Sequence, residues 1–133
     1  MSEENVELVR ATFDARRRGD PIPRSEYFAP EVEFHEDPRL PEAGIYRGVE
    51  EVLGYWGQFI ENFDEFMIDP EDFVDIGGDR VLVLLIITTR GRGSSATVTM
   101  PIAWIFTVRD SLVTRIEAFA DRNEALEAAG LSE

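Results

Sequence analysis

The chain has 133 residues, of which 13 are basic and 27 acidic, giving a formal charge of −14 with 44% hydrophobic content. That length suits one domain, and that apolar content is enough for a buried core, which excludes wholesale disorder. The acidity opposes binding to nucleic-acid phosphates or an anionic membrane; the lack of cysteine excludes thiolate nucleophiles and disulfides, and because every basic residue is arginine, lysine Schiff-base chemistry is excluded as well.

The polar, acidic start Met1-Ser2-Glu3-Glu4-Asn5 does not read as a signal peptide. No apolar run approaches the roughly 18 residues of a membrane span. A cytoplasmic protein of one domain over residues 1–133 is expected, with no repeat and no linker.

In chain order, residues 3–18 read as a helix. Ser2 suits its cap, Val6, Val9 and Phe13 share one face, and Arg16, Arg17 and Arg18 suit its negative end before Gly19. After Asp20-Pro21 a short helical piece at 24–28 stops before Pro30. Val32 and Phe34 alternate with acids, which predicts a short strand, and a loop with two prolines follows as far as Arg47-Gly48. Val52, Trp56, Phe59 and Phe63 recur at helical spacing and predict a helix over 49–62.

Strands are expected over 65–76, 79–90, 96–108 and 112–120. Their turns are Gly77-Gly78, the loop from Gly91 to Ser95, and Arg109-Asp110-Ser111. Residues 81–87 are apolar throughout, so that strand is expected to be covered on both faces. A short helix over 122–129 ends at Gly130. Helices followed by a four-stranded antiparallel meander make an α+β fold, with the helices on one face of a curved sheet. Such a cone encloses an apolar hollow suited to a small molecule.

The chemistry is concentrated in Glu33-Phe34-His35-Glu36-Asp37-Pro38, where the only histidine sits among carboxylates at a strand end. An imidazole there is able to move protons near neutral pH. No ligand spacing for a metal is present, and Gly91-Arg92-Gly93 lacks the lysine and following helix of a phosphate loop. No metal and no cofactor are expected.

Several short stretches, loose one by one, are specific in their order: Asn5-Val6-Glu7-Leu8-Val9-Arg10, Arg18-Gly19-Asp20, Phe28-Ala29-Pro30-Glu31-Val32-Glu33-Phe34, Tyr46-Arg47-Gly48, Met100-Pro101-Ile102-Ala103 and Asp121-Arg122-Asn123-Glu124-Ala125-Leu126. Over nearly its whole length the chain resembles the nuclear transport factor 2-like superfamily, in its SnoaL-like, ketosteroid-isomerase-like branch. The resemblance implies the cone-shaped, cystatin-like fold. It leaves the chemistry open, because that fold hosts cyclases, isomerases, hydrolases and non-catalytic binders.

By the resemblance, Asp37-Pro38 matches the pair that holds the proton-abstracting aspartate of ketosteroid isomerase. That enzyme's oxyanion tyrosine falls near Thr12 or Phe13, and its oxyanion aspartate falls on Ala103. Both donors are missing, and losing one costs roughly 3–4 kcal/mol of transition-state stabilisation. Steroid isomerisation of that type is not expected. Asp121 matches the acid/base aspartate of SnoaL-like cyclases, and Arg115 with Asp121 is similar to part of the Asp-Arg-Asp set of limonene-epoxide-hydrolase relatives.

The same alignment implies that Arg115, Glu117 and Phe119, then Pro101, Ala103 and Ile105, then Leu84, Ile86, Thr88 and Arg90 look into the cone. Phe13, Tyr55, Trp56 and Phe59 add helix-borne wall. Ile102, Trp104 and Phe106 then face outward, where a homodimer partner is expected to cover them.

Each candidate carries a structural alternative. His35 or Phe34 must face away from the core; Asp37 before Pro38 also suits a turn; Asp121 with Glu124 has capping-box spacing; Arg115 and Glu117 are able to pair with each other. Three functional readings stay open. One is cofactor-free acid/base catalysis on a small apolar substrate, with Asp37 or His35 taking the proton and Asp121 with Arg115 polarising the substrate. Another is a non-catalytic binding or sensing module for a hydrophobic ligand. The third is a structural domain that offers only its dimer surface, its cavity filled by side chains such as Trp56 and Phe119. Catalysis predicts two or more of these four side chains within about 3–4 Å of one another; a binder predicts them capped or turned outward.

Overall fold

A computed structural model describes residues 2–13, 23–41 and 43–131. The helix α1 (Ser2–Thr12) buries Val9 completely and closes its last turn with the Thr12 hydroxyl donating to the Val9 carbonyl at 2.7 Å. Arg16, Arg17, Arg18, Gly19, Asp20 and Pro21 lie outside the described residues. A 3-10 turn at Ser25–Tyr27 leads into β1 (Phe28–His35), and β2 (Ile45–Arg47) lies inside the stretch expected to be loop. Then come α2 (Val49–Ile60), β3 (Phe63–Gly77), β4 (Arg80–Gly91), β5 (Thr97–Arg109), β6 (Leu112–Phe119) and α3 (Arg122–Ala128). The turn joining β5 to β6 holds Asp110 and Ser111 at φ 54° and 63°, the paired positive values of a tight hairpin whose twist matches its strands.

The six strands form one curved sheet in the order β2-β1-β6-β5-β4-β3. The meander of β3 to β6 is antiparallel, as its short turns require. The addition is β1, which joins the edge of β6 in parallel, with Phe34 opposite Ile116, and accepts β2 antiparallel on its other side, with Phe34 opposite Tyr46.

Alternation along each strand sorts the core into two clusters. On the concave face, under α1 and α2, lie Phe34, Ile68, Val83, Leu85, Ile87, Trp104, Phe106, Ile116 and Ala118. Trp104 stands at their centre, stacked on Trp56 of α2 at 5.7 Å and edge-on to Phe34 at 5.6 Å. On the opposite face α3 covers Leu82, Ala103 and Ile105 with Ala125, Ala129 and Leu126.

This reverses the face assignment made from the alignment. Ile102, Trp104 and Phe106 point into the cone, and Leu84, Ala103 and Ile105 belong to the cluster under α3. A slip of one residue exchanges every side chain between faces. Here both faces of β4 and β5 are apolar, so their composition does not reveal the slip. The outer cover attributed to a homodimer partner is, over Leu82, Ala103 and Ile105, the chain's own last helix. Phe13, assigned to the cavity wall, packs instead against Phe73, Trp104 and Phe106 at 5.8–6.5 Å in the core.

Phe106→Ala tests this placement. An aromatic side chain removed from a fully buried site should cost roughly 3–5 kcal/mol in urea unfolding. Val98→Ala, at a half-exposed site, should cost less than about 1 kcal/mol. Equal, small losses would contradict the inward placement.

Candidate functional site

Between α2 and the concave face lies a cavity of about 180 Å³. Tyr55, Trp56, Phe59 and Ile60 of α2 form one wall. Ile68, Ile87, Thr89, Ile102, Trp104 and Ala118 of the sheet form the other, and Phe34, Glu36, Asp37, Leu40 and Phe119 close the end near the β1 exit. The amphipathic α2 explains the first wall, since residues three and four apart share a face. Strand alternation explains the second.

Glu36, not singled out from the sequence, is the carboxylate that alternation carries to the cavity: Val32, Phe34 and Glu36 follow one another at period two. Its Oε2 accepts from the Tyr55 hydroxyl at 2.7 Å and its Oε1 from the Asp37 N–H at 2.9 Å. Tyr55 is in turn stacked on Tyr46 at 4.1 Å. The alternating Phe34-x-Glu36 was the available signal. His35, between them, lies on the opposite face.

Asp37 also borders the cavity but is only 3% exposed. Its Oδ2 accepts from the Ala120 N–H at 2.7 Å and from Arg39 Nη2 at 3.2 Å, and its Oδ1 accepts from the Arg39 N–H at 2.9 Å and Arg39 Nε at 3.3 Å. Burial pushes this carboxyl up. The Arg39 guanidinium and the Ala120 and Arg39 amides outweigh it and hold the carboxyl well below its usual range, at about 2. A carboxylate so stabilised is a weak proton acceptor. It ties the exit of β1 to the end of β6.

The other three candidate catalytic groups lie elsewhere. His35 is on the outer face, with Nε2 2.8 Å from Glu33 Oε1. Arg115 is there too, 3.8 Å from Glu33 and 3.9 Å from Glu117, and Arg47 Nε donates to Glu33 at 3.2 Å. The hydrogen bond with His35 draws the Glu33 carboxyl below its ordinary value; desolvation opposes this, and Arg47 reinforces it. Asp121 caps α3, accepting from the Asn123 N–H at 2.8 Å. Glu124, the expected capping-box partner, accepts from Arg39 at 3.0 Å instead.

Of the expected cavity residues, Tyr55, Trp56, Phe59 and Phe119 line it. Ile86, Thr88 and Arg90 alternate with Ile87 and Thr89 and so lie on the opposite face, as do Leu84, Ala103, Ile105, Arg115 and Glu117. Arg90 reaches Asp64 at 3.6 Å and Glu65 at 3.5 Å. No described helix is long and apolar enough to cross a membrane.

The Asp37 clamp sets an acid limb for stability. Its folded-state value of about 2 lies below the ordinary 3.8, so its contribution is full above about pH 5 and is lost as pH falls through 2. The difference corresponds to about 2 kcal/mol. Asp37→Asn should lose about that much at pH 7 in urea unfolding and should show a flatter decline between pH 5 and 2. An unchanged acid limb would rule out the clamp.

Comparison with known proteins places this architecture. An uncharacterised protein of Mycobacterium tuberculosis is 28% identical over 118 residues, 88% of each chain. A nuclear transport factor 2-like protein of Burkholderia xenovorans superposes with a TM-score of 0.69 at 30% identity, covering 97% of each chain. The structure of TerC co-crystallized with polyporic acid superposes with a TM-score of 0.74 at 21% identity, covering 96% of this chain and 98% of that one. The family model of the SnoaL-like domain matches residues 9–116, and the chain belongs to that family.

Proposed function

We propose that this protein binds a small, largely apolar molecule in the cavity between α2 and the concave sheet face. The observation that carries this reading is the cavity itself, about 180 Å³ walled by aromatic and aliphatic side chains, with polar side chains among the described residues only at Glu36, Asp37, Tyr55 and Thr89 apart from the Trp indoles. An apolar cavity of about 150 Å³ admits benzene, so this one accommodates a single ring with a short substituent. The complex of TerC with polyporic acid shares this fold and is consistent with small-molecule binding.

The placement of the ionisable groups favours binding without turnover. Asp37 is held by Arg39 and Ala120, Asp121 caps α3, and His35 and Arg115 lie on the far side of the sheet. No two of these four converge on the cavity. If chemistry accompanies binding, Glu36 with Tyr55 is the pair within reach of a bound molecule.

Thermal unfolding with small ring compounds such as toluene and indole tests the reading. A bound ring should raise Tm, and the rise should grow with the logarithm of its concentration over Kd. Ala118→Phe, which puts a ring into the cavity, should abolish the rise. No rise with any ring compound, or a rise untouched by Ala118→Phe, would refute it.

A further inference from the structure

Resting on the cavity reading above, we infer that Thr89 is the residue that selects the guest, and that the ligand class is a small ring bearing a neutral hydroxyl that Thr89 hydrogen-bonds. The first reason is where this side chain stands. The concave row of β4 runs Val81, Val83, Leu85, Ile87 and then Thr89. Thr89 is 5% exposed, as buried as Ile87 at 8%, so the break in the row is not a strand end turned to solvent. Its side chain lines the cavity.

The second reason is the chemistry of that position. Among the described residues three polar side chains are buried, Thr12, Asp37 and Thr89. The Thr12 hydroxyl closes the last turn of α1, and Asp37 clamps the exit of β1 to the end of β6. Thr89 stands on β4, three strands across the sheet from β1, in a part of the wall made of rings and aliphatic groups. Valine has the same shape, so a hydroxyl here gains nothing in packing, and burying one is unfavourable unless it is hydrogen-bonded. A hydroxyl carries two acceptor lone pairs as well as its proton. Whatever its own proton does, Thr89 is able to accept from a guest O–H.

The third reason is the ring slot beside it. Phe66 of β3 lies directly opposite Thr89, and Phe59, Phe63 and Phe66 are mutual neighbours with ring centres 5.5–5.9 Å apart. All three line the cavity. Residues directly opposite on antiparallel strands have Cβ atoms about 5 Å apart, so a ring packed on this aromatic group has its substituent within reach of Thr89 Oγ1. A site that hydrogen-bonds a hydroxyl discriminates more sharply than one that only fits a shape.

Phenol and toluene are near-isosteric probes of this inference and fit the measured volume. Calorimetric titration should show both binding to the unmodified protein. Thr89→Val, which keeps the shape and removes the hydroxyl, should weaken phenol about fivefold or more and change toluene by less than about twofold. Thr89→Ser, which restores a hydroxyl, should recover most of the phenol affinity. If Thr89→Val does not fold, Thr89→Ala carries the same comparison. Toluene binding without phenol binding overturns the ligand class and keeps the cavity. Phenol binding that Thr89→Val leaves unchanged, or weakens to the same degree as toluene binding, overturns the role of Thr89 and keeps the cavity. Failure of both probes overturns both.

Discussion

One buried carboxylate organises the end of the fold that borders the cavity. Asp37 gathers the Arg39 side chain and amide and the Ala120 amide, so the exit of β1, the end of β6 and the approach to α3 meet at a single charge. Arg39 extends the link to Glu124 within α3. Glu36, one residue earlier, is held with its carboxylate on the cavity side and receives the Asp37 amide. A buried charge is tolerable only when paired and hydrogen-bonded, and the satisfaction of Asp37 is also what makes it a poor proton acceptor. Its value is geometric.

The sheet serves two cores at once. Its concave face packs under α1 and α2 around the stacked Trp56 and Trp104, and its outer face packs under α3 around Ala103 and Ile105. Small residues at 103, 125 and 129 pack on the crowded side, whereas the concave side is filled with rings that leave a gap. Trp56 Nε1 is buried with no hydrogen-bond partner among the described residues, and Phe28 and Phe34 stand edge-on to its ring at 6.0 and 5.3 Å. The hollow is thus a consequence of packing large, rigid rings against a bent surface.

The sequence made the architecture legible where its signals are local. Helical spacing located α2 to within two residues, and Asp110-Ser111 and Gly77-Gly78 marked hairpin turns through residues suited to positive φ. β2 was missed because three residues beside a proline-containing loop carry no periodicity, and its pairing depends on β1 rather than on itself. The faces of β4 and β5 were not legible because alternation needs a polar face, and α3 removes it over Leu82, Ala103 and Ile105. On β1 and β6 the polar face exists. Glu33, His35, Arg115 and Glu117 alternate with Phe34, Ile116 and Ala118, and the plain amphipathic reading of those strands gives the right side. The resemblance implies the opposite side for Arg115 and Glu117, and the amphipathic pattern, which also carries Glu36 to the cavity, is the one the structure follows.

Proline placement in β3 binds the last helix to the rest of the protein. Pro70 lies opposite Leu85 and has no amide hydrogen to offer, and Ile102 falls just past the last pair between β5 and β6. The carbonyls of both residues accept from Arg122, Leu85 at 2.8 Å and Ile102 at 3.1 Å, while Glu71 balances the guanidinium at 2.7 Å. The strut stands behind the very strands whose other side carries Ile87, Ile102 and Trp104. Any event that peels the carboxy-terminal segment away strands two acceptors at the back of the cavity, so the shape of that hollow is coupled, through the thickness of a single sheet, to a helix that does not line it.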